Sequence, residues 1–378
     1  MKTWEVRKLI PETTWTYNAT VRTILPTSGL LSALMIGFSA TPVSDARRNL
    51  EKWRLIDYIN EIKVLVNGST VEKSMTGRIA KYLNWCDGGP AILDQDSNYA
   101  ASTQRLHTCL NFGRYFKDEE FGLDLGRYDS AELQITNDAA VGQFTAFATP
   151  TIYGVFLKDA PSGTFKGHTR TEEYRKWTTV QAAVEYLRLQ EEGRLRKIVF
   201  QVDPAVSAYM VPDTTLYNVL YNLRITHKAK STELFNGNLR DLWYLNAFED
   251  GRDVFQGAEP YQSDAYAFRT GLGQTLYKAA AGQTHSGTQS SYPQEVVAGE
   301  DSSTQTRQCD GDADQGSFIL SGLSLENCAQ WRYDTYGDLS FAPDMQAEKP
   351  IELEVTTRDS ATADNGTIRI ETDRIMIP

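Results

Sequence analysis

MIGFSATP at Met35–Pro42 and KIVFQVDP at Lys197–Pro204 read as two copies of one strand. Ile36, Phe38 and Pro42 recur as Ile198, Phe200 and Pro204, each displaced by 162 positions. The same interval carries Trp15-Thr16 to Trp177-Thr178 and Leu83-Asn84 to Leu245-Asn246. One offset held across about seventy residues is hard to obtain except from a tandem duplication. A period this long means two whole domains and excludes solenoids and propellers, whose units run ~20–50 residues. Further on, AELQIT at 131–136 matches IELEVT at 351–356 with an offset of 220. The rise from 162 to 220 places about 58 extra residues in the second copy, between Asn246 and Ile351.

The length of 378 residues gives each copy enough chain to bury a core of its own. The 38 basic residues are outnumbered by 49 acidic ones, for a formal charge of −11. No net positive field exists to hold nucleic acid by phosphate neutralisation, so direct nucleic-acid binding is not expected. The opening MKTWEVRKLI lacks the unbroken apolar stretch of a signal peptide, and the longest apolar run, near Gly29–Ala40, is too short to span a bilayer. A soluble, unprocessed chain is expected. Cys86, Cys109, Cys309 and Cys328 show no CxxC spacing and are too sparse for a disulfide framework, which makes them free thiols. The sequons at Asn18, Asn67 and Asn365 are read as chance matches.

Taken in order, residues 1–12 mix Lys2, Arg7 and Lys8 with Trp4 and Ile10 and stop near Pro11, which predicts an arm ahead of the first domain. The first domain is expected over 13–160 and the second over 161–378. Thr14–Ile24 and Leu30–Ala40 predict strands. Ile59–Val66, Asn67-Gly68 and Ser69–Met75 predict a hairpin closed by a primed turn. Thr76–Leu83 predicts a short helix, repeated at Asn238–Leu245. Thr178–Leu189 has helical spacing at Val180, Val184 and Leu187, but the repeat assigns it a strand. Residues from about 249 to 316 are rich in Gly, Gln, Ser, Thr and Asp and cannot fill a core, so they predict a surface excursion.

Each copy thus offers about eight short strands, one short helix and Pro/Gly/Asn turns, without the long helices that parallel crossovers need. That is an all-β class, and long connections at the sandwich ends point to two tandem eight-stranded jelly rolls. The blocks IKVLVNGSTVEKSMTGRIAKYLNW (62–85) and LNFGRYFKDEEFGLDLGRYDSAELQITND (110–138), set in this duplication, resemble the double jelly-roll major capsid proteins of tailless icosahedral viruses, the lineage of adenovirus hexon, and bacterial-virus members above all. The resemblance implies a structural role in the virion, with assembly in the host cytoplasm. It implies a homotrimer whose six lobes give a pseudo-hexagonal capsomer, joined by obligate interfaces on the order of 2,000 Å2 or more. It also implies neighbouring capsomers, a penton protein and minor capsid proteins as partners. Strands would stand normal to the shell with the insertion outside, and Lys2, Arg7 and Lys8 inside, against an internal membrane or scaffold.

A nucleophilic triad needs a base beside its nucleophile, and His107, His168, His227 and His285 sit in no such motif. Asp118, Glu119, Glu120 and Asp124 could be cast as a glycosidase pair, but a solvated acidic loop, or salt bridges to Arg114 and Arg127 at a trimer contact, is the simpler expectation. Asp310, Asp312 and Asp314 in DGDADQG have the alternate spacing of a calcium loop. Gln315 then stands where the sharp-turn Gly belongs, and Ser321 where a bidentate Glu should close the site. These are weak calcium candidates; a calorimetric titration is expected to show no calcium uptake. Trp15, Trp85, Trp177 and Trp243 lie at or near repeat-equivalent places and are assigned to packing. No catalytic residue and no cofactor is assigned. Two rivals remain: a two-domain jelly-roll glycan hydrolase, monomeric with a carboxylate-lined groove, and a carbohydrate-binding or adhesion protein with aromatics on one exposed sheet face.

Overall fold

The computed structural model describes residues 3–43, 54–89, 96–97, 103–141, 143–180, 182–189, 192–204, 219–250, 254–259, 261–262, 272–284, 314–334, 337–348, 350–358 and 366–377. The first copy contains β1 (Thr3–Leu9), β2 (Thr20–Ile24), β3 (Leu30–Pro42), β4 (Ile59–Val66), β5 (Thr70–Met75), α1 (Gly77–Cys86), β6 (Asp96–Ser97), β7 (Gln104–Asn111), β8 (Leu123–Asp124), β9 (Ala131–Asn137) and β10 (Phe144–Lys158). The second contains β11 (His168–Thr178), β12 (Val184–Arg188), β13 (Arg194–Pro204), β14 (Asn222–His227), β15 (Thr232–Gly237) and α2 (Leu239–Asp250). It continues through β16 (Val254–Glu259), β17 (Tyr261–Gln262), β18 (Leu272–Thr284), β19 (Asp314–Leu325), β20 (Cys328–Arg332), β21 (Ile351–Thr356) and β22 (Gly366–Met376).

The pairing order repeats between copies. The first has sheets β1-β10-β3-β7 and β2-β9-β4-β5; the second has β11-β22-β13-β20 and β12-β21-β14-β15. These are two eight-stranded jelly rolls. Strand β5 touches β11 through a parallel bridge, Lys73 to Thr171, so one sheet of each roll merges into an eight-stranded sheet. Alternation fills the cores: Leu34, Ile36 and Phe38 of β3 point into the first, and Ile198, Phe200 and Val202 of β13 into the second. Trp15 is buried against Phe38 and Phe147, with centroids 5.5 and 5.1 Å away. Trp85 and Trp243 are buried on the two helices, and Trp177 is half-buried at the second core.

Local chemistry explains the joints. Asn67 and Gly68 both take positive φ, +49° and +75°, as the primed turn between β4 and β5 requires. In the second copy a 3-10 turn over Lys228–Lys230 and a left-handed Ser231 do the same work. Thr76 caps α1, its Oγ1 accepting from the Ile79 amide at 3.3 Å. The conflict at Thr178–Leu189 resolves as strand β12, because Val184–Arg188 pairs with β21 along its length.

Three expectations are corrected. The stretch read as an arm ahead of the first domain is part of that domain, as strand β1 paired with β10 from Thr3–Lys158 to Leu9–Ile152. Its charges mislead because β1 is an end strand with one face in solvent, where Arg7 bonds Glu5 at 2.8 Å. The strand expected from Thr14 begins only at Thr20. Asn18 takes a positive φ of 46°, and the Asn137 amide ties down the Thr16 and Ala19 carbonyls at 2.8 and 3.2 Å. The insertion is more than a loop: β16, β17, β18 and β19, with β6 of the first copy, form a five-stranded sheet. A composition too polar for a core still supplies backbone pairs, and a sheet asks for no more than these. Residues 285–313 lie outside the described residues.

Candidate functional site

The residues that the two copies bring together lie along the seam between the rolls, where α1 of the first packs on β20 of the second and β5 meets β11 edge to edge. Burial there is mixed: Val199, Leu325 and Cys328 of the second roll join the first roll's apolar cluster beside Trp85 and Cys86. Around them six cations meet six carboxylates. Arg54 forks onto Glu326 at 3.1 and 2.7 Å and reaches Asp57 at 2.9 Å. Arg78 bonds Asp57 at 2.6 Å and also bonds Asp203, while Lys81 lies 3.3 Å from Glu326. Arg196 donates to Asp87, Asp334 and Asp373 at 2.6, 2.8 and 2.9 Å. Lys197 bonds the same Asp87, and Lys73 donates to Thr169 and Thr171 at 2.8 and 2.9 Å, with Asp373 at 3.9 Å.

Neutral bonds continue the line. Thr76 donates to Gln201 at 2.9 Å, Tyr82 to Asn246 at 3.3 Å, and Arg332 to the Cys86 carbonyl at 3.0 Å. Burial works to raise the Asp87 and Glu326 carboxyls, but Arg196 and Lys197 on the first, and Arg54 and Lys81 on the second, outweigh it and hold both below the ordinary range. Burial brings the Lys73 ammonium down to about 8 despite Asp373 and Asp87. A pocket of about 340 Å3 opens beside the seam, lined by Cys86, Asp87, Arg114, Tyr115, Arg332 and Asp334 among others. Its arginines are occupied: Arg114 holds Asp118 and the Gly337 carbonyl, and Arg332 holds the helix end. The arrangement binds two domains; it does not poise an acid against a base.

The sequence-nominated groups are spread out and spoken for. Asp118 is buried and accepts from Arg114 Nε at 2.7 Å and from the Arg114 and Glu120 amides at 3.1 and 2.9 Å. Burial would raise its carboxyl, yet these bonds keep it below the usual range, opposite to what a general acid requires. Glu120 bridges Arg114 and Lys166 at 2.8 and 2.7 Å, and Asp124 receives Ser162, Gly163 and Arg127. The ion pairs expected of Arg114 and Arg127 at a trimer contact form within one chain instead. His168 sits 2.6 Å from Glu72, His227 accepts the Lys230 amide at 3.2 Å, and His107 is exposed on β7. Cys86, Cys109 and Cys328 are thiols rather than disulfide halves, and burial pushes the Cys109 thiol up to about 12. His285, Cys309, Asp310 and Asp312 lie outside the described residues; Asp314 opens β19. No group of three or more potential metal ligands occurs among the described residues.

The seam charges were missed by sequence reasoning. A signal existed in the opening stretch: Lys197 and Asp203 stand where the first copy has Met35 and Thr41. A repeat that trades apolar or neutral residues for charge at outward positions marks a face with a new partner.

No family model and no curated protein matches this chain. Solved structures match over its full length. The capsid of the virus PBCV-1 aligns with 100% of this chain and 95% of its own, at TM-score 0.58 and 8% identity. Sulfolobus turreted icosahedral virus aligns over 99% and 91%, at 0.55 and 10%. The major capsid protein P2 of bacteriophage PM2 aligns over 99% and 98%, at 0.51 and 10%. The shared property is the double jelly-roll fold.

Proposed function

We propose that this chain is a major capsid protein: a structural subunit that trimerises into pseudo-hexagonal capsomers of an icosahedral virion. The observation that carries this reading is the duplication itself. Two jelly rolls of identical strand order stand side by side in one chain, locked by a buried seam, and the whole chain matches capsid subunits end to end. Three such chains give six similar lobes, so a threefold particle can occupy a sixfold place in a shell.

Neighbouring capsomers are its partners, with a penton protein and minor capsid proteins completing the shell. The five-stranded insertion, built from both copies, is the outward tower. Arg7 and Lys8 belong to a paired strand, so an internal-membrane contact through a free basic arm forms no part of the proposal. The test is solution mass. Sedimentation velocity or native mass spectrometry is expected to give a particle of three times 42.4 kDa with a six-lobed outline in negative stain. A monomer that cleaves glycans would overturn the proposal.

A further inference from the structure

One buried cation of the second roll lacks a full set of acceptors. Alternation from Ile368 and Ile370 of the second core puts Arg374 of β22 on the inner face of its sheet, near the end where β11 begins. Its cross-strand partner on β11 is Arg170, and like charges directly opposite one another destabilise a sheet. In the first roll Arg374 corresponds to Gly154, 220 positions earlier, whose partner on β1 is Arg7. The doubled charge therefore belongs to the second copy alone.

Arg170 spends Nε and Nη2 on Glu72 at 3.0 and 3.1 Å, a carboxylate it shares with His168. Arg374 bonds Glu172 through Nη2, and its Nε and Nη1 have no hydrogen-bond partner among the described residues, although the residue is only 1% exposed. Burial, the largest influence, brings this guanidinium below its ordinary range even with Glu172 and Glu192 near. The Nη1 atoms of Arg170 and Arg374 converge on one oxygen, Oε2 of Glu192, at 3.7 and 3.8 Å. Those gaps exceed hydrogen-bond length, and the Glu192 side chain is 60% exposed, just ahead of β13.

The geometry points to a binding site for a compact tetrahedral oxyanion of the inorganic phosphate class between Arg170 and Arg374, with the Glu192 carboxylate as its displaceable occupant. A tetrahedral ion centred where Glu192 Oε2 lies directs an oxygen at each Nη1 and closes both gaps to the ~2.7–2.9 Å of charge-assisted bonds. Arginine suits such a ligand because its planar donors hold fixed directions. With Glu192 swung into solvent, two guanidiniums face two carboxylates, Glu72 and Glu172, and the incoming ion meets no third one. The depth of Arg374 selects a free ion over a phosphate carried on a polymer backbone or a lipid headgroup. Bound there, the ion offsets the opposed arginines and ties β11 to β22. The site does not depend on the capsomer reading.

Thermal melting of the full chain in inorganic phosphate, against sodium chloride at equal ionic strength, tests this. A saturable rise in melting temperature with phosphate is expected, as for any ligand held only by the folded state. Glu192→Gln, at an exposed side chain, should saturate at several-fold lower phosphate, and Arg374→Met should melt at the same temperature in both salts. The site is overturned if wild type and Glu192→Gln respond to phosphate no more than to chloride, or if both saturate at the same phosphate concentration, whether or not Arg374→Met folds. Cosedimentation with phosphatidic acid vesicles that is lost in Arg374→Met would put a headgroup there and overturn the assignment to a free ion.

Discussion

Replacing Arg196 by alanine is expected to destabilise the fold by about 3–5 kcal/mol, the range found when one partner of a buried ion pair is removed. The guanidinium sits on β13 of the second roll and spends Nε on Asp334, Nη1 on Asp373 and Nη2 on Asp87, with the Arg114 carbonyl as a further acceptor at 3.2 Å. Burial disfavours its charge, but the three carboxylates more than compensate and its proton is held far above the ordinary guanidinium range. Alanine would leave Asp87, Asp334 and Asp373 buried with only Lys197, Lys73 and Arg332 near, and an uncompensated buried carboxylate is the costly outcome. Lysine keeps the charge and loses the three-way fork, so Arg196→Lys should fall between the two. Urea unfolding of both variants measures this; a loss below about 1 kcal/mol for the alanine variant would mean that the seam does not act as a buried network.

The sign of the pH response follows from the same residues. Asp87 and Glu326 have depressed carboxyls in the fold, so their stabilisation is present above the unfolded carboxylate range and is lost as pH falls toward the folded values. Acid therefore loosens the seam from these two groups. One buried carboxyl, Glu371, works in the opposite direction.

The duplication was legible because strands in a sandwich must alternate and turns must end them, and both copies kept that pattern at Ile36/Ile198 and Phe38/Phe200. The hairpin at Asn67-Gly68 was legible for the same local reason. Strand β1 was not: an end strand presents one side to solvent and can carry Arg7 and Lys8, so its composition matches that of a tail. The seam was not legible because a charge on an outward position is silent about whether water or another domain meets it. Only the comparison of Lys197 with Met35, and of Asp373 with Tyr153, carries that information, and it becomes readable once the strand register is known.

Glu371→Gln is expected to flatten the fall of melting temperature with rising pH, and Glu371→Met to stabilise the fold by a further ~1–3 kcal/mol, the desolvation cost of a buried group without a hydrogen bond. Glu371 lies on β22 directly opposite Glu173 of β11, fully buried, and neither carboxyl oxygen has a hydrogen-bond partner among the described residues. Lys73 from β5, Cys328 from β20, and Arg369 and Asp373 from its own strand surround it. Burial first, and then the Glu173 charge, push its carboxyl well above the ordinary range. A raised folded value means that the fold binds this proton more tightly than the unfolded chain does. Its stabilisation is complete below the unfolded value of about 4.3 and drains away as pH climbs toward the folded one. Glutamine cannot titrate, so the wild type should lose melting temperature relative to Glu371→Gln as pH rises from the unfolded carboxyl value toward the raised folded one. Methionine removes the polar group as well, and its gain over glutamine isolates the desolvation cost from the titration. Parallel melting curves for wild type and Glu371→Gln over that interval would show that the carboxyl is solvated or partnered in the assembled protein, and the seam would then have no alkaline weak point at this residue.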